Sequence, residues 1–360
     1  MILETYWLYY LILLWSILSF LVMKYFHISN CIKYYLAINY IPLAFILAYR
    51  APSVGVDTWG YIEAFEYLSV TPIEGFFVGS FECGYALLNK LVCIFGGNGY
   101  DVIKIVAVLS VSLLAGFFYK YSKSVVLSTV IFIGFGMMFP MMNQIRQVLA
   151  AIIVLWAMGK LSENKRIWSV ILILLAYTIH ATVFPFIVFV IFHPLNVKKI
   201  LLAVIFGIFL LYAVDTKGIL FLLDFSLLDE AKYISYIGSG FDVSKEYGAL
   251  VIRALFCFCL FAGGFYKYIY KSCNEQLLAV STLAMYVSAI VTLLGYKSDI
   301  IGRFVYSYFL YLCILLPAFC SLKHGIGKVC IYMIVVVAAF VYFTKSLSVL
   351  GNSYIYYLGI

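Results

Sequence analysis

The most constraining feature of this chain is a series of apolar stretches, each roughly 18 to 22 residues long, separated by short charged loops. A helix needs about 20 apolar residues to cross a membrane, whereas the strands of a membrane barrel alternate apolar and polar residues. Hydrophobic residues make up 66% of the chain, more than one soluble core can bury. The sequence therefore predicts an all-α polytopic membrane protein.

The apolar stretches predict ten full spans in one membrane domain, residues 1–360. They lie near 6–23, 34–49, 102–119, 124–141, 144–160, 199–214, 248–266, 276–294, 303–321 and 329–344. Residues 83–96 are too short to span and are predicted to dip in and return. Residues 167–193 are predicted to form two short helices that meet at His180, which gives about 10 to 13 transmembrane or re-entrant helices in all.

The lysines indicate which loops are cytoplasmic. By the positive-inside rule, the loops predicted inside are those that contain Lys24/Lys33, Lys120/Lys123, Lys160/Lys165/Arg166, Lys198/Lys199, Lys267/Lys271 and Lys323/Lys328. Both termini are then outside, with external loops at about 50–82 and 215–247. The second loop is predicted to contain an interfacial helix and to act as a lid. Because the net charge of +8 is explained by topology, nucleic acid is excluded as a partner.

The nine cysteines include no Cys-x-x-Cys pair, so the sequence supports neither a disulfide framework nor a zinc site. No metal and no cofactor is expected. The chemistry is therefore expected to depend on the few charged side chains of the external loops and span ends.

Arginine is placed differently from lysine. Four of the five arginines, Arg50, Arg146, Arg253 and Arg303, fall at outward ends of predicted spans. A guanidinium group holds phosphate oxygens in pairs and stays charged in a poorly hydrated site. These arginines predict binding of a diphosphate-bearing lipid. The alternative is that each arginine reaches lipid headgroups or pairs with an acid such as Asp299.

Two arginines have polar neighbours at helical spacing. Asn143, Arg146 and Gln147 stand at i, i+3 and i+4, which predicts a shared helix face. Val148 and Ile152 are predicted to face lipid on the opposite side. The spacing recurs at the start of a later span, in Arg303, Tyr306 and Ser307.

Three residues are candidates for proton transfer. His180 is the one histidine that is not beside a lysine-rich loop, although a buried imidazole is often structural. Asp57 is predicted to cap a short helix that runs to Leu68, with Tyr61 one turn further on. Glu82 opens the short dipping helix, where a carboxylate also suits the helix dipole.

These motifs, in this order, resemble the EpsG-like branch of the Wzy-type O-antigen and exopolysaccharide polymerases. The resemblance covers about residues 34 to 322, whereas the loop 215–247 and the C-terminal tail match no motif. The motifs are Arg50 at a span end, Gly55-Val-Asp57 with Tyr61, Glu82-x-Gly-Tyr85, Ile145-Arg146-Gln147-x-x-Ala150, His180-Ala-Thr and Gly302-Arg303-Phe304-x-Tyr306.

The resemblance implies a GT-C-like membrane glycosyltransferase in the bacterial cytoplasmic (inner) membrane, with its active site facing the periplasm or exterior. Its reaction is the polymerisation of undecaprenyl-diphosphate-linked oligosaccharide repeat units of an O-antigen, capsule or exopolysaccharide, without a metal. The expected partners are the lipid-linked oligosaccharide and polysaccharide, membrane lipid and a chain-length regulator.

On this interpretation, His180 is the first choice for the general base, with Asp57 and Glu82 as alternatives. The residues expected to bind the substrate and its diphosphate are Arg50, Arg146, Gln147, Arg303, Tyr61, Asn143, Tyr306 and Arg253.

A flippase or other transporter of lipid-linked oligosaccharides is the alternative function. A transporter is expected to line a path through the midplane with polar residues and often to contain two related halves. Here the charges gather on one side and no internal duplication is found. A membrane acyltransferase would need a catalytic histidine or acid near a cytoplasmic donor. It is disfavoured because His27, His193 and His324 have no suitable catalytic partner nearby in the sequence.

Overall fold

The computed structural model describes residues 6–77, 81–194, 276–294, 299–321, 325–350 and 354–358. Within these ranges the chain is helical, and the β structure consists of one isolated bridge between Arg50 and Leu358. Two short 3-10 segments, Ile73–Phe77 and Ala181–Phe186, accompany the α-helices. The α-helices are α1 Trp7–Tyr25, α2 Cys31–Ala48, α3 Thr58–Val70, α4 Cys83–Ile94, α5 Gly99–Tyr121, α6 Val125–Gly134, α7 Pro140–Asn143, α8 Ile145–Ser162, α9 Arg166–Tyr177, α10 Ile187–Ile191, α11 Gln276–Leu294, α12 Asp299–Phe309, α13 Leu312–Ser321 and α14 Gly325–Val349.

Within the described residues, six helical stretches are long and apolar enough to cross a membrane: α1, α2, α5, α8, Phe304–Ser321 and α14. The all-α polytopic class predicted from the apolar stretches is therefore confirmed. The predicted spans 199–214 and 248–266 lie outside the described residues, as do the external loop 215–247 and Arg253.

Helix α8 is the centre of the bundle. It packs against α5, α9, α11 and α12, so that protein surrounds it on several sides. Val148 is 1% exposed and Ile152 is fully buried. The prediction that these two residues face lipid is therefore wrong, because their helix has no lipid-facing side at these positions. Apolarity alone cannot distinguish a lipid contact from a protein contact within a membrane.

The predicted span 124–141 is not one helix. Helix α6 ends at Gly134, and Gly136 has a φ of +69°, a left-handed conformation that glycine adopts without steric cost. Pro140 then begins the short helix α7, where its missing N–H removes no hydrogen bond. The break turns the chain before α8 and places residues 137–144 at one end of the bundle.

The break predicted at His180 is confirmed. Helix α9 ends at Tyr177, and His180 has the extended conformation with φ −157° and ψ 123°. The chain then enters the 3-10 segment Ala181–Phe186, which contains Pro185. His180 therefore lies between two short helical segments, where its side chain and main chain can contact other elements.

The two ends of α8 have opposite chemistry. Its 18 residues span about 27 Å, close to the thickness of the hydrocarbon core. Arg146 lies at its start, and Glu163 follows its end and pairs with Lys120 at 2.5 Å, Lys165 at 2.9 Å and Lys160 at 3.6 Å. We call these the arginine end and the lysine end of the bundle.

The arginine end is assembled partly by a close approach of α4 to the end of α9. The N–H of Gly84 donates to the Thr178 carbonyl oxygen at 2.7 Å. A Cβ atom on Gly84 would lie 2.3 Å from Thr178 Oγ1 and 2.7 Å from that carbonyl oxygen. A residue without a side chain is therefore needed here, and the contact brings Glu82 beside the segment that follows His180.

We predict that Gly84→Ala lowers the free energy of unfolding by about 1 to 3 kcal/mol, because the added methyl group must push α4 and α9 apart. Gly60→Ala is the matched control, since a Cβ on Gly60 in α3 would meet nothing within 4 Å. Chemical or thermal unfolding of both variants in detergent measures the difference. Equal stability of the two variants would show that the close contact between α4 and α9 does not require glycine at position 84.

Candidate functional site

Arg146 is the centre of the arginine end. Its Nη1 donates to Glu82 Oε2 at 2.6 Å, and the two side chains are 11% and 21% exposed. Three aromatic rings surround the guanidinium, with centroids 5.0 Å away for Phe81, 5.0 Å for Tyr85 and 6.0 Å for Tyr61. One carboxylate and the faces of several rings thus compensate a poorly hydrated positive charge. We call these five residues the Arg146 site.

One donor of this guanidinium makes no hydrogen bond within the described residues. Arg146 Nε is buried and has no hydrogen-bond partner among the described residues. Buried donors are rarely left unsatisfied, so an unpaired one in a native site needs an explanation. The edge of a guanidinium can hold two phosphate oxygens in parallel. The arrangement is therefore suited to an anionic ligand with several oxygens.

Glu82 joins three elements of the site. It occupies the position before α4, pairs with Arg146 at the start of α8, and accepts a hydrogen bond from the N–H of Ala181 at 3.2 Å through Oε1. Burial opposes its ionisation, but the positive charge of Arg146 and the hydrogen bond from the Ala181 N–H outweigh burial and hold the pKa of Glu82 below its usual range. Glu82 is therefore a carboxylate at neutral pH.

One ring nitrogen of His180 is fixed by the segment that follows this residue. Its Nδ1 accepts a hydrogen bond from the Thr182 N–H at 3.3 Å and lies 2.8 Å from Thr182 Oγ1. Because a main-chain N–H can only donate, this network assigns Nδ1 as unprotonated. A neutral His180 ring therefore carries its proton on Nε2 and can donate a hydrogen bond from that atom.

Asn143 connects the loop of Asp57 to the start of α8. Its Oδ1 accepts a hydrogen bond from the Asp57 N–H at 2.7 Å. The continuous helix predicted through Asn143, Arg146 and Gln147 does not form, because Gln144 leaves the helical conformation with φ −98° and ψ 52°. Asn143 thus ends α7 and holds the loop, whereas Gln147 is buried within α8.

Asp57 lies beside the Arg146 site, one helical turn before Tyr61. Asp57 takes the predicted position before α3, although its side chain makes no cap hydrogen bond. Its carboxylate is half-buried and close enough to Tyr61 to act on that phenol electrostatically. Tyr61 is buried with Arg146 over its ring. The structure therefore brings Asp57, Tyr61, Glu82 and Arg146 together.

Arg50 has a structural position. It is 2% exposed, and its guanidinium donates to the carbonyl oxygens of Leu47, Val54 and Met142. Burial lowers the pKa of Arg50 to about 10, so it remains charged at neutral pH. These bonds clamp the loop after α2 to the segment before α8. We do not include Arg50 in the proposed diphosphate site.

The second arginine motif lies on a neighbouring helix. Helix α12 contains Arg303 and packs against α8. One turn later Tyr306 is buried, and its hydroxyl donates to the Met137 carbonyl oxygen at 3.1 Å. Tyr306 therefore ties α12 to the turn before α7. The side chain of Arg303 and the whole of Arg253 lie outside the described part of the structure.

Several contributors were not identified from the sequence. Phe81 lies against Arg146, Ala181 donates to Glu82, and Thr182 orients His180. Aromatic residues make up 19% of the chain, so no local signal could single out Phe81. The positions next to Glu82 and His180 were the available clue, because residues adjacent to a site residue often orient it.

We predict that Glu82→Gln destabilises the protein. Removing one partner of a fully buried ion pair costs roughly 3 to 5 kcal/mol, and partial exposure of Glu82 reduces that figure here. Because the pKa of Glu82 is depressed in the folded state, its contribution is present above its ordinary pKa of about 4.3 and is lost as pH falls through the folded value.

Unfolding measured from pH 7 to pH 3 should therefore show a loss of stability on the acid side that is smaller in Glu82→Gln than in wild type. Glu63→Gln is the control, since Glu63 is exposed on α3. If wild type and Glu82→Gln lose the same stability between pH 7 and pH 3, the Arg146–Glu82 pair contributes no stability.

A family model described as the EpsG family matches residues 33–358, nearly the whole chain. No curated protein and no solved structure matches it. The matched region includes every described residue of the Arg146 site, together with Asp57, Asn143 and His180. The chain therefore belongs to the EpsG family.

Proposed function

We propose that this protein polymerises undecaprenyl-diphosphate-linked oligosaccharide repeat units at the outer face of the bacterial cytoplasmic membrane. The growing glycan is transferred from its lipid diphosphate to the next lipid-linked unit. The EpsG family is associated with polysaccharide polymerisation, an activity of the glycosyltransferase kind. The observation that carries the proposal is the buried Arg146 with an unpaired Nε–H, set among aromatic rings and fixed by Glu82.

The external orientation is supported by the opposite ends of α8. Lys120, Lys160 and Lys165 converge on Glu163 at the lysine end. Positive charge in short loops favours the cytoplasmic side. The Arg146 site lies about 27 Å away along α8 and would then face the exterior, where lipid-linked units are joined.

Stabilisation of the leaving diphosphate is the role proposed for Arg146. Glycosyl transfer leaves negative charge on the phosphate oxygen that loses the sugar, and fixed donors in a poorly hydrated site stabilise it well. Glu82 holds the guanidinium in place, so little reorganisation is needed when the charge develops. Arg303, on the helix packed against α8, is proposed as the second phosphate contact.

The three candidate bases differ in the contacts that the structure gives them. His180 Nδ1 is already an acceptor for Thr182, and Glu82 is engaged by Arg146 and Ala181. The Asp57 carboxylate is half-buried in the same cluster, one turn from Tyr61, and its main-chain N–H is held by Asn143 at 2.7 Å. We therefore propose Asp57 as the group that takes the proton from the acceptor hydroxyl, and His180 as a hydrogen-bond donor to substrate through Nε2–H.

The GT-C-like architecture and a chain-length regulator as partner remain proposals that rest on the family resemblance. A lipid-linked oligosaccharide flippase remains the competing function. An assay in detergent separates the two functions. Without a membrane to cross, a flippase has no activity to show, whereas a polymerase can still make polymer.

We predict that the purified protein in detergent converts lipid-linked repeat units into a polymer ladder on gels. Arg146→Lys should lower the rate by about 10-fold or more, since a point charge cannot reproduce two parallel bonds to phosphate oxygens. Arg166→Lys is the matched control, because Arg166 lies at the lysine end and bonds to the His193 carbonyl oxygen. Transport of lipid-linked units in vesicles without polymer in detergent would favour the flippase.

A pair of substitutions separates the two nitrogens of His180. In His180→Asn the side-chain oxygen can replace Nδ1 as the acceptor for Thr182, but no donor reaches the Nε2 position. In His180→Gln the amide nitrogen can reach the Nε2 position, but the Nδ1 acceptor is lost. If Nε2–H contacts substrate, we expect His180→Gln to retain several-fold more activity than His180→Asn at equal protein levels.

The opposite order, with His180→Asn the more active variant, would show that His180 acts mainly by capping the segment Ala181–Phe186. Equal losses of 10²-fold or more in both variants would return His180 to the role of general base, because neither amide can accept that proton.

A further inference from the structure

The C-terminal segment 354–358 lies against the loop that contains Asp57. The N–H of Ala51 donates to the Tyr357 carbonyl oxygen at 2.8 Å, and Arg50 and Leu358 form an antiparallel bridge. The two pieces of chain are thus paired through their main chains, more than 300 residues apart in sequence.

The same segment is attached to α1 and α2. The hydroxyl of Tyr9 donates to the Tyr354 carbonyl oxygen at 2.8 Å, and the hydroxyl of Tyr356 donates to the Ile46 carbonyl oxygen at 3.3 Å. The rings of Tyr9 and Tyr354 both pack edge-on against Phe139, with centroids 5.2 Å and 6.1 Å away. The segment is therefore fixed from several sides.

The other side of the loop is fixed to the segment before α8. Arg50 donates to the Met142 carbonyl oxygen at 3.0 Å, and Asn143 accepts from the Asp57 N–H. Gly55 has a φ of +93°, and a Cβ on it would lie 2.2 Å from the Met142 carbonyl oxygen. Contacts therefore run without interruption from the C-terminal segment through the loop to Asp57.

We propose that segment 354–358 is a strap that holds loop 50–58 and so positions Asp57 relative to Arg146. This inference rests on the proposed function of these two residues. The strap touches no part of the Arg146 site directly, so its residues are positioning residues and not catalytic ones. The family match extends to residue 358, so the strap lies within the matched region although it carries no recognisable motif.

Removal of the strap would leave the contacts between the loop and the segment before α8 in place. Without it the Ala51 N–H loses its partner, whereas Arg50 still holds Met142 and Asn143 still accepts from Asp57. The loop therefore stays attached but gains freedom. Arg146 and Glu82 are held by α4, α8 and the turn after His180, so binding of the diphosphate should be nearly preserved.

Two truncations of the full chain test the strap. A stop after residue 353 removes it, and a stop after residue 358 keeps it and removes only Gly359 and Ile360. We expect the first to lower kcat for in vitro polymerisation by about 10-fold or more with KM for the lipid-linked donor changed less than about 3-fold. The second should behave as wild type. Equal kcat values in the two truncations would overturn the proposal.

Hydrogen exchange gives a readout that does not depend on activity. With the strap removed, amides in residues 51–57 should exchange faster, whereas amides in α8 should be unchanged. Tyr9→Phe, which removes the donor to the Tyr354 carbonyl oxygen, should shift the same amides to a smaller extent and serves if the truncated protein does not fold.

Faster exchange throughout the protein, or no change at residues 51–57, would overturn the strap. If the wild-type protein forms no polymer, the proposed function fails, but the exchange experiment still decides whether the segment holds the loop. The two failures are therefore distinguishable.

Discussion

The arrangement at the arginine end depends on the ion pair between Arg146 and Glu82. The guanidinium at the start of the central helix is largely removed from water. The carboxylate and the surrounding aromatic rings offset the cost of desolvating its charge. The same carboxylate accepts from Ala181, so the pair also ties α4 and α8 to the turn that contains His180. This one ion pair thereby holds together α4, α8 and the turn that contains His180.

Main-chain hydrogen bonds then place the remaining candidates around that pair. Arg50 has the residue type expected for phosphate but donates to three carbonyl oxygens of the protein. Asn143, predicted on a shared helix face, instead holds the loop of Asp57. The close approaches at Gly55 and Gly84 allow these contacts, because a Cβ at either position would collide with main-chain or side-chain oxygen.

The two ends of the bundle differ in how their charges are used. At the lysine end, three exposed or half-exposed ammonium groups share Glu163, as expected for charges that set topology and contribute little stability. At the arginine end, the charges of Arg146 and Glu82 are largely buried and are held by a direct ion pair. This difference supports placing the chemistry at the arginine end and not along a path through the membrane.

The sequence by itself determined the helical membrane class, the break at His180 and the approximate positions of most spans within the described residues. Span length and local spacing are properties of short segments, which is why they could be predicted. The tertiary structure decided that Arg50 donates to main-chain carbonyl oxygens, that Thr182 engages Nδ1 of His180, that α8 is buried on the side predicted to face lipid, and that Tyr354 meets Tyr9. Several of these outcomes depend on distant partners: Met142 lies 92 residues from Arg50, and Tyr354 lies 345 residues from Tyr9. No local pattern encodes such contacts.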